Sequence, residues 1–195
     1  MVRAVFLKTL GRLLAAMVFV SPAAAQDTRI SADRASGDFT LNGTTISITR
    51  STGASCPPAC VQPLEISPDI VTLAELEVIA FLEDRVAAGA GLLIDVRPAA
   101  DFAVASIPGA VNIPAATLTP DNPYRSDLLA ALGLDGPESA GAFDLAIFAD
   151  SAASDLAAGA IRSLRDAGYP ADKLHFYRAG LAGWTALGLN TQSGG

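Results

Sequence analysis

Residues 92–114 read LLIDVRPAADFAVASIPGAVNIP, and the rest of the chain is organised around them. The stretch opens on a short apolar run between Gly91 and Pro98, which is typical of a buried strand. An acidic-aromatic pair and a Pro-Gly pair follow, and a second apolar run ends at Pro114. The stretch therefore predicts a strand, a turn, a short helical segment, a second turn and a second strand.

This stretch resembles the signature of rhodanese-like (sulfurtransferase-type) domains, in which D-V-R ends a strand and I-P-G-A-x-N-I-P follows an acidic-Phe pair. The family's usual Gly-His pair before Ile-Pro-Gly is replaced here by Ala105 and Ser106. The resemblance extends over residues 71–189 and implies an α/β domain with a largely parallel central sheet. The matching positions are Asp95, Val96, Arg97, Asp101, Phe102, Ile107, Pro108, Gly109, Ala110, Asn112, Ile113 and Pro114.

Strand and helix patterns alternate on both sides of the signature. Before it, Thr72 is a predicted N-cap, with Glu75 at the capping-box position of a helix that runs to Gly89 or Gly91. After it, the apolar periodicity predicts helices at 125–132 and 157–167 and strands at 143–148 and 174–177. This order of elements independently favours an α/β fold with a parallel sheet.

A different pattern precedes the rhodanese-like region. Residues 38–41 and 44–49 alternate between apolar and polar side chains around Asn42-Gly43, which predicts a β-hairpin. The chain is thus divided into a signal peptide at 1–25, an extension with the hairpin at 26–70, a rhodanese-like domain at 71–190 and a tail at 191–195.

The first residues have the pattern of a secretory signal peptide. Arg3, Lys8 and Arg12 precede an apolar stretch at 13–20, and small residues then lead to a cleavage site after Ala25. The apolar stretch is much shorter than the ~20 residues that a membrane-spanning helix needs. The sequence therefore predicts a periplasmic protein that has no membrane association after cleavage.

The predicted mature chain is acidic. It keeps 10 Lys and Arg against 20 Asp and Glu, a net charge of about −10. Nucleic acids and anionic membranes need a basic surface, so neither is expected as a partner. This negative charge is compatible with a basic protein as partner, which the sequence does not identify.

The loop after the strand predicted at 143–148 decides the chemistry. In rhodaneses a cysteine opens this loop, and the surrounding backbone N–H groups favour its thiolate. Here the position falls on Ser151, or on Asp150 with a slip of one residue, and no catalytic residue is assigned. A serine nucleophile would need a base, and nothing in the sequence brings His175 close. The resemblance therefore implies an inactive sulfurtransferase, and the loop acids are expected to be helix N-caps; the loop consists of Asp150, Ser151, Ala152, Ala153, Ser154 and Asp155.

Cys56 and Cys60, the two cysteines, lie in the extension. In an oxidising compartment they are expected to form a disulfide, although a redox-active or sulfur-carrying pair, or metal or haem binding, stay open. No metal or cofactor is expected. Among the signature residues, Arg97 is expected to have a structural role, paired with Asp101 or with backbone carbonyls.

Overall fold

The structure is a computed structural model that describes residues 29–134 and 141–194. The predicted signal peptide lies outside the described residues. The described strands are β1 Ser36–Leu41, β2 Thr44–Thr49, β3 Val71–Leu73, β4 Gly91–Asp95, β5 Ala110–Asn112, β6 Asp144–Phe148 and β7 Leu174–Tyr177. The described α-helices are α1 Glu75–Phe81, which continues as a π-helical turn over Leu82–Val86, α2 Ala99–Val104, α3 Arg125–Ala131, α4 Leu156–Asp166 and α5 Gly180–Ala186.

Five of the strands form one parallel sheet in the order β3-β7-β6-β4-β5. This confirms the predicted α/β fold with a parallel sheet. Strand β6 lies in the middle, and all five of its residues are buried. Buried parallel strands read as continuous apolar runs because both faces are covered, which is why β6 showed no alternation. The carboxyl end of β6 is consequently held at the centre of the molecule.

The core lies on both faces of this sheet. On one face, Ile94 and Ile147 pack with Ile161 and Leu164 of α4. On the other face, Phe148 packs with Val78 of α1, Trp184 of α5 and other apolar side chains. The helical periodicity of α4 therefore reflects one apolar side that contacts the sheet.

The N-terminal hairpin is also confirmed, and it forms a separate two-stranded sheet. Asn42 and Gly43 both have positive φ, 51° and 78°, as a two-residue turn of this type requires. Phe39 lies opposite Ile46 in the antiparallel register. Both side chains are exposed, because the hairpin pairs with no strand of the parallel sheet.

The predicted start of α1 is wrong by two residues, because the N-cap is Ala74 and not Thr72. Thr72 lies in β3, where it pairs in register with Phe176 of β7, and its hydroxyl donates to the Leu64 carbonyl. The helix begins at Glu75. The backbone N–H of the preceding Ala74 donates to the Glu77 carboxylate in the first turn. Strand pairing at the sheet edge has therefore overridden the local capping pattern.

Candidate functional site

The loop between β6 and α4 lies at the carboxyl end of the central strand, where open parallel sheets place their sites. The start of α5 holds it from one side. The N–H of Leu181 donates to the Ala149 carbonyl at 3.0 Å, and the N–H of Ala182 donates to the Asp150 carbonyl at 2.8 Å. The backbone of the loop is thus fixed to the helix that follows β7.

Gly180 makes this contact possible. Its φ is +63°, a left-handed backbone conformation that is unfavourable for residues with a side chain. A Cβ at this position would lie 2.8 Å from both the Asp150 carbonyl carbon and the Ser151 nitrogen, and closer still to the Ala149 carbonyl oxygen. The loop can approach α5 this closely only because residue 180 has no side chain.

The two serines of the loop bind its own backbone. The Ser151 hydroxyl accepts a hydrogen bond from the Ala153 N–H at 3.2 Å, and the Ser154 hydroxyl accepts one from the Leu156 N–H at 3.4 Å. The Ser154 N–H donates to the Ser151 carbonyl at 3.0 Å. The backbone N–H groups of Ala153, Ser154 and Leu156 therefore already donate to oxygen atoms of the loop, and none of the three is left to bind an anion.

His175 is placed away from Ser151. It lies opposite Ala146 in the strand register, and its ring contacts Phe81 edge-on, with 5.4 Å between the ring centroids. Burial lowers the pKa of the imidazole. His175 and Ser151 line different cavities, so the structure does not bring together a Ser-His pair.

Arg97 links the signature stretch to the loop. Its guanidinium donates to both carboxylate oxygens of Asp95, the shortest N–O distance being 2.6 Å, and to the Ala105 carbonyl at 2.6 Å. A longer contact of 3.5 Å reaches the Asp150 carboxylate. Hydrogen bonding to Asp95 raises the pKa of Arg97. The expected carbonyl contact is present, but the ion pairs are with Asp95 and Asp150 and not with Asp101, which lies exposed on α2.

Ser106 explains one departure from the signature. It stands where the family's usual pattern has histidine, and it is fully buried. Its hydroxyl donates to the Asp95 carboxylate at 2.8 Å. Asn112 binds the same segment through its side-chain amide, which donates to the carbonyls of Asp95 and Arg97 at 2.9 Å each. The signature residues thus fix the ends of β4 and β5 beside the loop.

The extension covers the loop from the other side. The N–H of Gln62 donates to the Ala152 carbonyl at 2.8 Å. The Gln62 carbonyl in turn accepts two hydrogen bonds from the Arg178 guanidinium, at 2.7 and 2.9 Å. Arg178 directly follows β7, so this contact joins the extension to the carboxyl edge of the sheet.

Cys56 and Cys60 form a disulfide, with their Cα atoms 4.6 Å apart. Both cysteines are buried, at 0% and 8% exposure. Arg50 supports the segment around them, because its guanidinium donates to the carbonyls of Ala59 at 2.7 Å and Ala54 at 3.2 Å. The disulfide is therefore part of an ordered cover over the loop.

A cleft of about 560 Å³ lies between this cover and the loop. Pro58 and Ala59, from the segment between the cysteines, line one side of it. Ser151 and Asp155 are among the loop residues that line the other side. The cleft thus combines residues of the extension and of the parallel-sheet domain.

A family model for rhodanese-like domains matches residues 78–187, more than half of the chain. The chain belongs to the rhodanese-like domain family. Comparison with curated protein sequences finds no match.

Solved structures with this fold include several that resemble the rhodanese-like chain. A protein from Lactobacillus plantarum is 22% identical, with a TM-score of 0.43 over 63% of this chain and 87% of that one. A thiosulfate sulfurtransferase from Pseudomonas aeruginosa is 25% identical, with a TM-score of 0.47, and the match covers 68% of this chain but 22% of that one. A human single-domain sulfurtransferase is 24% identical, with a TM-score of 0.42 over 62% of this chain and 97% of that one.

Within this rhodanese-like domain, the structure brings some of the singled-out residues together and separates others. Asp95, Arg97 and Asp150 meet beside the cleft. Pro108 and Gly109 form the turn before β5, where Gly109 has a φ of +84°. The expected N-cap role of Asp155 is not fulfilled by its side chain, which makes no capping hydrogen bond at the start of α4. The Ser154 hydroxyl accepts a hydrogen bond from the Leu156 N–H, one residue earlier than the N–H groups that a side chain at position 155 would cap.

Three residues of the site carried no signal in the sequence. Arg50, Gln62 and Arg178 act mainly through backbone carbonyls, which no sequence pattern distinguishes, and the contacts of Gln62 and Arg178 are also distant in the chain. Gly180 can be located from the sequence, because residues 179–184 read AGLAGW and resemble the family's terminal G-G-x-x-x-W element, with Ala179 in place of the first glycine. In the portions of the chain that the structure describes, no helix has the length and apolar character to cross a membrane.

Proposed function

We propose that the protein is an exported rhodanese-like domain that does not catalyse sulfur transfer and acts as a binding or accessory module. One observation carries the proposal: the loop at the end of β6 contains no cysteine, and its serines bind the loop's own N–H groups. A serine hydroxyl cannot replace the thiolate, because its pKa is far higher and it forms no persulfide. Export is supported by the N-terminal pattern and is compatible with the disulfide.

The charges around the loop support the same proposal. Thiosulfate is an anion, whereas Asp150 and Asp155 line the cleft with carboxylates. Arg97 is nearly buried and bound to Asp95, so its charge is largely compensated. Arg50 lines the opposite side of the cleft, on the extension. On the loop side a sulfur donor would therefore meet carboxylates and little uncompensated positive charge.

The purified mature protein is expected to produce no thiocyanate from thiosulfate and cyanide above the rate without protein. An active rhodanese measured in parallel supplies the positive control. A second sample carries Cys56→Ser and Cys60→Ser, which removes every thiol of the chain. Turnover that persists in this double variant would overturn the proposed inactivity.

A thiol-redox or sulfur-carrier role for Cys56 and Cys60 is the second candidate. The observation that favours it is the disulfide itself, because the residues between its cysteines line the same cleft as Ser151. Reduction would supply thiols on the extension, beside a loop that lacks one. Their burial limits access, since exchange requires a thiolate to reach a disulfide sulfur.

Intact-mass spectrometry of the native protein separates the two candidates. The binding-module proposal predicts an oxidised pair and no added sulfur after mild reduction followed by a polysulfide donor. A mass gain of about one sulfur atom that disappears in the Cys56→Ser variant would favour the second candidate. The same spectrum reports whether the chain begins at Gln26, as cleavage after Ala25 requires.

A further inference from the structure

The cleft beside the loop continues into a second cavity. This second cavity, of about 360 Å³, extends along α4 and the turn that follows β5. Both cavities are lined by Asp155 and Leu156, so they adjoin at the start of α4. We call the two together the α4 furrow, with Pro58 near one end and Ser163 at the other.

The far part of the α4 furrow has walls of small side chains. Ala115 and Ala116 line one side, and Gly159 and Ala160 of α4 line the other. A Cβ added to Gly159 would meet no atom within 4 Å, so the space in front of it is open. Small walls of this kind let the backbone of a bound chain come close to the surface.

The far part of the α4 furrow is long enough for about three residues of an extended peptide. Leu156 and Ser163 both line it and are seven residues apart on α4. At ~1.5 Å per helical residue, this part alone spans roughly 10 Å. An extended chain covers that distance with about three residues, at roughly 3.3 Å each.

Asp155 lies at the junction of the two cavities. It is exposed, it directly precedes α4, and its side chain makes no capping hydrogen bond. The Asp150 side chain is 57% exposed on the same side of the loop. Arg50 lines the cleft on the side of the extension, where its guanidinium keeps its positive charge and is held by three backbone carbonyls. The centre of the furrow therefore presents a carboxylate that the fold leaves available to a cation.

We propose that the α4 furrow binds an extended segment of a basic partner protein, with a lysine or arginine side chain directed to Asp155. The proposal rests on the proposed binding function and specifies its site. The small walls receive the backbone of the segment, and the carboxylate selects its charge. The net negative charge of the mature chain also favours the approach of a basic protein.

Fluorescence anisotropy with labelled peptides tests the proposal on the full mature protein. The probe is a nine-residue peptide of alternating valine and arginine. Its companion carries citrulline in place of arginine, which keeps the shape and removes the charge. At 150 mM salt we expect the arginine peptide to bind with a Kd at least tenfold lower than the citrulline peptide.

Two variants locate the binding. Asp155→Asn removes the charge and is expected to raise the Kd of the arginine peptide at least fivefold. Gly159→Leu places a side chain in the open space of the furrow and is expected to abolish saturable binding, while a helix favours leucine over glycine. Asp101→Asn, on exposed α2 outside the furrow, is the matched control and keeps the Kd within twofold. Thermal unfolding of each variant verifies that it is folded.

Unchanged binding in both furrow variants would overturn the proposal and assign the affinity to general surface charge. Absence of binding by the arginine peptide to the unaltered protein would also overturn it. Neither result bears on the thiocyanate assay, which tests the inactivity of the loop separately. Equal binding of the arginine and citrulline peptides would overturn it as well, because the furrow would then not select a basic segment.

Discussion

Replacing Arg97 with alanine is expected to lower the free energy of unfolding by ~3–5 kcal/mol, the range observed when one partner of a buried ion pair is removed. The Asp95 carboxylate is completely buried, and the Arg97 guanidinium donates three hydrogen bonds to it. In the alanine variant the Asp95 carboxylate would still accept hydrogen bonds from the Ser106 hydroxyl and from the backbone N–H of residue 97. A carboxylate so poorly compensated inside the protein is costly.

Urea unfolding, followed by circular dichroism, measures this loss. Asp101→Ala is the matched control, because Asp101 belongs to the same signature but lies exposed on α2. We expect the control to change stability by less than about 1 kcal/mol, as is usual for surface positions. A similar loss of free energy of unfolding in Arg97→Ala and Asp101→Ala would contradict the structural role of the Arg97–Asp95 pair.

Replacing Gly180 with alanine is expected to lower the free energy of unfolding by about 3 kcal/mol. A left-handed backbone conformation costs an alanine roughly 1–2 kcal/mol, and crowding in a packed region adds about 1–3 kcal/mol. Both apply here, since Gly180 has a φ of +63° and its added Cβ would press against the backbone of Asp150 and Ser151. The variant should therefore also displace the loop from the start of α5.

Gly188→Ala separates the two contributions. Gly188 has a φ of +75°, yet a Cβ there would meet no atom within 4 Å. We expect this control to lose only the conformational part, about 1–2 kcal/mol. Equal losses at the two positions, measured by the same urea unfolding, would show that close approach to the loop is unimportant.

The sequence predicted the fold well because its main signals are local. The Asp95 to Arg97 segment and the proline-fixed turn at Gly109 lie within one short stretch, and β6 and β7 are short apolar runs with clear ends. Errors arose where a distant partner changed the outcome. Thr72 has a capping pattern of its own, but pairing with β7 draws it into a strand.

The candidate site was predicted only in part for the same reason. The loop from 150 to 155 could be located by its place after a strand and before a helix. The cover over it could not, because the contact between Gln62 and Ala152 uses backbone atoms that every sequence possesses. The free carboxylate of Asp155 was also missed, since its position before α4 looks like an ordinary cap and only the observed geometry shows that its side chain makes no capping hydrogen bond.

The contact between Gln62 and Arg178 also bears on the order in which the site is completed as the chain is exported. The two residues are 116 positions apart, whereas the disulfide closes a separation of four. Domains form as their residues become available from the N-terminus, and a long loop must close before a distant contact can contribute. The cysteines can therefore join while the later part of the chain is still emerging. The cleft acquires its full wall only once the last strand has been made, so a chain that stops before Arg178 would keep its disulfide and lack this anchor of the binding surface.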